Sequence, residues 1–426
     1  MRPRPEAALR IDRERCAARI QDGIDRLSAP PFTSEVGAVT RYAFTEPYLQ
    51  TVEHLSTELL ELGFDVRFDP IGNLVARNRA AGTPVIGLGS HCDSVRGGGR
   101  YDGILGVVAA IEVARIAAAQ RLELPLQIVS WVEEEASGFG QMLLGSRVAA
   151  GLIDAGLLAT EVRSIDDGRS FFDHAHEAGF APETLEDAPG ALADLTAWIE
   201  LHIEQGRVLE DGHQRIGVVD AIAGYLHADI EIWGQADHAG ATPMGLRRDA
   251  MIVAAHCAIE LEQLVSTAGG GAVGTVGELT LAPGVINAVP GHARLSLDIR
   301  APDADAIDAI ASETLRRITE LADDRSLRIG YQERQRVAPV TLDQQVIATL
   351  RAAAAATGTP WRTMISGAAH DTMCIAQRVP SAMVFIPCRD GVSHSPTEHA
   401  SAADAAVGIE ILLNAAVQLA DQEANQ

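Results

Sequence analysis

Pro84-Val-Ile-Gly-Leu-Gly-Ser-His-Cys-Asp93 and Leu126-Gln-Ile-Val-Ser-Trp-Val-Glu-Glu-Glu135 decide the fold. Each is a short apolar run ending in polar side chains. Such runs read as buried strands that deliver their last residues to the carboxyl edge of an α/β sheet, where open sheets carry their sites. Between them lie a glycine-laden loop, Val95-Arg-Gly-Gly-Gly-Arg-Tyr-Asp-Gly103, and a helix rich in Ala, Val and Ile over about 104–118. Strand, loop, helix, strand is the order of a layered α/β domain.

Upstream, Leu49, Val52, Leu55, Leu59 and Leu60 repeat at helical spacing and predict a helix over 46–62. Short strands are expected near 64–69 and 73–77, with Asp69-Pro-Ile-Gly72 as the turn between them. Residues 151–195 are weakly patterned and read as surface helices and loops. The pattern then changes: 216–233 alternates, 248–264 and 304–322 read as helices, and 272–281, 289–299 and 326–335 read as strands. Two helices with about four antiparallel strands make a small α+β unit. From 340 onward the helix–strand–helix style returns. The expected architecture is α/β: a larger domain with a mixed central sheet, 1–213 and 333–426, into which a smaller α+β domain, 214–332, is inserted.

A chain of 426 residues exceeds what one core usually supports, which agrees with two domains. Lys and Arg total 34 against 58 Asp and Glu, a net charge of -24, so the basic surface that nucleic acid requires is not expected. Five cysteines without paired spacing suit a reducing compartment, and the cytoplasm is the expected location. The first residues, MRPRPEAALRIDRERC, lack the apolar core of a signal peptide, and no membrane span is expected because no run approaches 18 apolar residues.

The chemistry lies in the donors. His91 and Asp93, then Asp102, then Glu133-Glu134-Glu135 offer imidazole and carboxylate groups suited to zinc, manganese or similar ions. An HxD pair with a later carboxylate also describes an ordinary hydrogen-bonded turn. Three glutamates directly after a core strand fit that blander reading poorly, because buried carboxylates are costly unless paired or bound to metal.

With these blocks in view, the chain resembles the M20-type metallo-amidohydrolase superfamily, and within it the hydantoinase/carbamoylase amidase family. The resemblance runs from about residue 45 to 420. It rests on GSHxDSV at 89–95, YDG at 101–103, EEE at 133–135, LHIEQGxVLE at 201–210, HAGxTPM at 238–244, PGxxNxxPG at 283–291, DIR at 298–300, SGAxHD at 366–371 and GxSHSPxE at 391–398. It implies two divalent ions per subunit, of zinc, manganese, cobalt or nickel. His91 and His202 would hold one ion, Glu135 and His394 the other, and Asp102 would bridge them; His399 is not the choice. Asp93 would orient His91 by accepting from its distal ring nitrogen.

The resemblance further implies Glu134 as general base, beside the ligand Glu135. Neighbours on a regular strand point to opposite faces, so an irregular strand end is expected there. Glu133 is given no role beyond that of a solvated or structural neighbour. His238 would polarise the scissile carbonyl, supplied across the interface of a homodimer. Asn287 and Arg300 would grip a substrate carboxylate, with Gln205, Ser366 and Gly367 adding polar contacts; His370-Asp371 would shape the site. The implied reaction is hydrolysis of a linear amide or ureido C–N bond in a small carboxylate-bearing molecule. An N-carbamoyl-L-amino acid leads; allantoate, a β-ureido acid such as 3-ureidopropionate, and an N-acyl amino acid follow. A non-catalytic binding protein would have lost a ligand, Glu134 or His238, and none is lost. A peptidase would need a cleft open at both ends. Ala136-Ser-Gly-Phe139 departs from the family by placing Gly138 where Arg is usual, and Ala369 stands where Gly is common.

Overall fold

The computed structural model describes residues 8–153 and 155–424. Its strands are β1 (Asp65–Phe68), β2 (Leu74–Arg77), β3 (Val85–His91), β4 (Leu126–Trp131), β5 (Leu195–Ile203), β6 (Ile216–Ile222), β7 (Gly224–Trp233), β8 (Asp237–His238), β9 (Val273–Thr275), β10 (Leu279–Ala282), β11 (Ala288–Val289), β12 (His292–Ala301), β13 (Arg328–Val337), β14 (Val340–Thr341), β15 (Trp361–Ser366) and β16 (Ser381–Ile386). The chain divides into one unit of residues 1–220, 342–364 and 370–426 and a second of 221–341 and 365–369.

The first unit is built on a mixed sheet in the order β1-β2-β4-β3-β5-β16-β6, with β15 also on β6. The run β4, β3, β5, β16 is parallel. β3, β4 and β16 are buried along their whole length and β5 nearly so, as sequences without alternation should be. Their carboxyl ends deliver His91, the Glu133–Glu135 run and His202, and the loop after β16 carries His394.

The helix Ile104–Ala119 packs on β3, β4 and β5, together with Ala402–Ala424. By length and composition Ala402–Ala424 is apolar enough to cross a membrane, and most of it is buried inside the fold. A helix over Arg13–Leu27 was not expected. Cys16, Ile20, Ile24 and Leu27 form its buried stripe, and Asp12 caps it by accepting from Arg15 N–H. Arg10 and Arg13 fasten this segment to the buried Glu410 at 3.2 and 2.8 Å.

The second unit holds an antiparallel sheet, β10-β12-β7-β13 with β9 on β12, and a separate β8–β11 pair. It thus has five strands in its main sheet where about four were expected. Leu226, Ala228, Ile230 and Ile232 alternate inward on β7, as do Leu295, Leu297 and Ile299 on β12, and the helices Ala250–Ala268 and Ala304–Asp324 complete the core. The units part at Asp220 and Leu342 rather than at 213 and 332. β13 pairs with β7 through Val337, which carries the second unit beyond 332, and residues 365–369 join it from far along the chain.

Candidate metal centre

His91 closes β3 and is buried. Its Nδ1 lies 3.2 Å from the carbonyl oxygen of Asp93, which can only accept, so the proton sits on Nδ1 and Nε2 keeps its lone pair. His202 is arranged alike: Nδ1 donates to the Ile203 carbonyl at 2.9 Å, and Nε2 accepts from Gly103 N–H at 3.2 Å. The two Nε2 atoms stand 3.7 and 3.1 Å from Asp102 Oδ1. On the other side, Asp102 Oδ2 lies 3.2 Å from His394 Nε2, which is 3.5 Å from Glu135 Oε2. His91, Asp102 and His202 thus form one group with metal-ligand spacing, Asp102, Glu135 and His394 form another, and Asp102 turns one oxygen to each.

Backbone conformation makes this possible. Glu133 and Ala136 adopt left-handed φ values of 52° and 60° and bracket Glu134-Glu135. The alternation of β4 is thereby broken, and both side chains reach the same centre. Gly103 is also left-handed, at φ 64°, and a Cβ there would overlap the His91 ring.

Asp93 faces the His91 ring, as expected, and also holds backbone. Its carboxylate accepts from Glu134 N–H (3.2 Å) and Glu135 N–H (3.0 Å), while its main-chain oxygen orients His91; the carboxylate itself is 3.5 Å from the ring nitrogen. Glu133 is not solvated. It is buried and accepts from the N–H groups of Gly138 (2.9 Å) and Phe139 (2.7 Å). A Cβ at position 138 would come within 2.9 Å of its Oε2, which gives Gly138 a local packing reason. Gln205 donates to Asp102 Oδ2 at 2.7 Å, a contact with the bridging carboxylate itself. His370 packs edge-on to His202 at 4.5 Å, and Asp371 accepts from Ser146 Oγ at 2.5 Å.

The electrostatics favour cations. Burial, and then Asp102, pushes the Glu135 carboxyl up to about 8. Burial also raises Glu134 well above the usual carboxylate range, with Glu135 adding to the rise and His91 opposing it. Asp102 is held well below its usual value: burial would raise it, but His202 and His394 overcome that. Among the described residues, the ion pairs of Asp102, Glu134 and Glu135 are to histidines alone. Glu135 Oε1 is buried without a partner. Imidazole and carboxylate donors gathered around a spare buried oxygen fit divalent ions.

The remaining expected residues lie in the second unit. His238 on β8 pairs with Ala288 of β11. Its Nδ1 accepts from the N–H groups of Gly240 (3.0 Å) and Ala241 (3.1 Å), so the neutral ring carries its proton on an exposed Nε2. Asn287 is exposed beside it, its carbonyl accepting from Ala239 N–H at 2.9 Å. Arg300 lies over Tyr225, 5.6 Å from the ring centre, and donates Nε (3.0 Å) and Nη2 (2.9 Å) to Asp298 and Nη1 (3.0 Å) to the Gly367 carbonyl. One hydrogen on each terminal nitrogen is left over. The Ser366 hydroxyl is engaged within its own turn, donating to the Ala368 carbonyl at 2.7 Å.

Residues 87–418 match the model of Peptidase family M20/M25/M40. The chain is 37% identical to the N-carbamoyl-L-amino-acid amidohydrolase of Paenarthrobacter aurescens, over 93% of this chain and 96% of that one. It is 33% identical to the allantoate amidohydrolase of Escherichia coli, over 91% and 94%. Among solved structures, an amidase of the hydantoinase/carbamoylase family from Burkholderia multivorans superposes with a TM-score of 0.87 at 30% identity, covering 98% of this chain and 99% of that one.

Proposed function

The chain belongs to peptidase family M20/M25/M40, and from that membership we propose that it hydrolyses the ureido C–N bond of an N-carbamoyl-L-amino acid. It is a metal-dependent amidohydrolase. The observation that carries it is Asp102, with one oxygen toward His91 and His202 and the other toward His394, and Glu134 close by at 3.7 Å from His91 Nε2. When bound, a pair of zinc, manganese, cobalt or nickel ions supplies Lewis-acid polarisation and a water of lowered pKa.

His91 and His202 would hold one ion, Glu135 and His394 the other, with Asp102 between them. Glu134 takes the proton of the attacking water and returns it to the departing nitrogen. His238 donates its Nε2 proton in a hydrogen bond to the carbonyl oxygen as negative charge grows there, a role supported by its fixed tautomer. Arg300 offers its two remaining terminal hydrogens to the carboxylate, with Asn287 as an amide donor and Gln205, Ser366 and Gly367 lining the polar end. The water oxygen bonds to the carbamoyl carbon as a ureido C–N bond breaks, and the carbamoyl group ends as ammonia and carbon dioxide with the amino acid freed.

A substrate panel tests the reading: N-carbamoyl-L-amino acids, allantoate, 3-ureidopropionate and N-acetyl amino acids, with metal-reconstituted protein and ammonia or free amine as readout. N-carbamoyl-L-amino acids should give the highest kcat/KM. Capping the carboxylate as an amide removes charge-assisted bonds worth about 1.5–3 kcal/mol and should raise KM about 10- to 100-fold. Preference for allantoate would move the assignment to that substrate, and no turnover of any ureido compound would overturn it.

The proposal includes a homodimer in which His238 serves the partner's centre, and a cytoplasmic location, in keeping with five unpaired buried cysteines. Met244 (77% exposed), Leu246 (73%) and Ile286 (103%) stand bare near His238 and Asn287 in the sequence, the kind of apolar surface a second copy would cover. Mixing and re-forming two inactive variants, His238→Ala and Glu134→Gln, should restore activity by making one intact centre per heterodimer. No recovery in a verified heterodimer would place His238 on its own chain's centre.

A further inference from the structure

The glycine run and the tail of the GxSHSPxE block have a common physical cause. Glu398 is 3% exposed, and its carboxyl reaches back 297 residues to the Tyr101–Asp102 loop. Oε1 accepts from Tyr101 N–H at 2.8 Å and Asp102 N–H at 3.1 Å. Ser393 Oγ lies 2.8 Å from Glu398 Oε2 and 3.0 Å from Asp102 Oδ2, the oxygen turned toward His394. A Cβ on Gly99 would overlap the Glu398 carboxyl, so the third glycine of the run leaves room for it. The Tyr101 and His399 rings meet edge to face at 5.7 Å and stitch the same two loops again.

These contacts join two donors that no strand holds. His91 and His202 stand on β3 and β5 and are fixed by the sheet. His394 sits in a loop at a left-handed φ of 55°, and Asp102 lies in the loop ahead of Ile104–Ala119. Beside the Glu398–Ser393 bonds, Gln205 Nε2 lies 2.7 Å from Asp102 Oδ2 and 3.4 Å from His394 Nε2.

We propose that Glu398, acting through Ser393, is a positioning residue that sets Asp102 against His394 and so governs metal affinity at the Asp102–Glu135–His394 position while leaving the His91–His202 position largely unaffected. This inference rests on the two-position reading of the centre. Groups behind metal ligands typically contribute 10- to 100-fold in affinity, and here that effect falls on one ion of the pair.

Chelator-stripped protein titrated with Co²⁺, followed by visible absorption and calorimetry, tests it. Wild type should bind two ions. Glu398→Ala should weaken one phase about 10- to 100-fold and change the other less than about 2-fold. Glu398→Gln should be milder, since its amide oxygen can still accept from the two N–H groups. Gly99→Ala, which forces a methyl into the carboxyl's place, should reproduce the Glu398→Ala pattern. Ser393→Ala leaves the Glu398 bonds to Tyr101 and Asp102 in place, so it carries the test if a Glu398 variant fails to fold; it too should weaken one phase. Equal weakening of both phases would mean a general structural role and overturn the inference, as would unchanged affinities. A wild type binding one ion would instead overturn the two-position reading itself.

Discussion

Glu134→Gln should lower kcat about 10²- to 10⁴-fold while leaving the metal content of the protein unchanged. The substitution keeps the shape of the side chain and removes only its capacity to take a proton. Nothing in the ligand geometry depends on that capacity: the two donor groups are His91, Asp102 and His202, and Asp102, Glu135 and His394. The main-chain N–H of Glu134 is held by Asp93 and is unaffected by the change. KM should move little, because the proposed grip on the substrate carboxylate uses Arg300 and Asn287 and not Glu134. Metal analysis beside steady-state kinetics separates the outcomes. A variant that loses an ion together with its turnover would show Glu134 to be a ligand, and a variant that keeps full turnover would show that the base lies elsewhere.

What could be read from the sequence was whatever depends on neighbours along the chain. The runs at 84–91 and 126–132 announce strands because they are apolar, short and end in polar donors, and the structure has β3 and β4 there. The alternation of β12 is equally plain, with inward Leu295, Leu297 and Ile299. The helix Arg13–Leu27 is legible in principle, since its buried residues recur every three or four positions. The second unit's edges escaped because they are set by pairing: β13 continues on β7 to Val337, a fact of register rather than of composition. The contacts of Asp93 and Glu398 to distant backbone were hidden for the same reason. Asp93 reaches 41 and 42 residues to two main-chain N–H groups, and Glu398 reaches 297. A carboxylate holding distant backbone leaves no local pattern, whereas His91 and Glu135 announce themselves by standing at strand ends.

Asp102→Ala should be the most damaging single change in the centre, because it takes a donor from both groups at once. Oδ1 is 3.1 Å from His202 Nε2 and Oδ2 is 3.2 Å from His394 Nε2, so neither side retains its set. Metal stabilisation of developing charge is worth several kcal/mol, and each 1.4 kcal/mol is about tenfold in rate, so kcat/KM should fall by roughly 10³-fold or more. Protein reconstituted and then desalted should hold well under two ions. Glu135→Ala, which removes a donor from one group only, should keep the ion of the His91–His202 side. Thermal unfolding gives a reading independent of turnover. An ion at 100 times its Kd stabilises the folded wild type by about 2.7 kcal/mol, so added metal should raise its Tm and leave that of Asp102→Ala nearly unmoved. If Asp102→Ala held both ions and kept the rise in Tm, the carboxylate would be a neighbour of the centre and not the bridge within it.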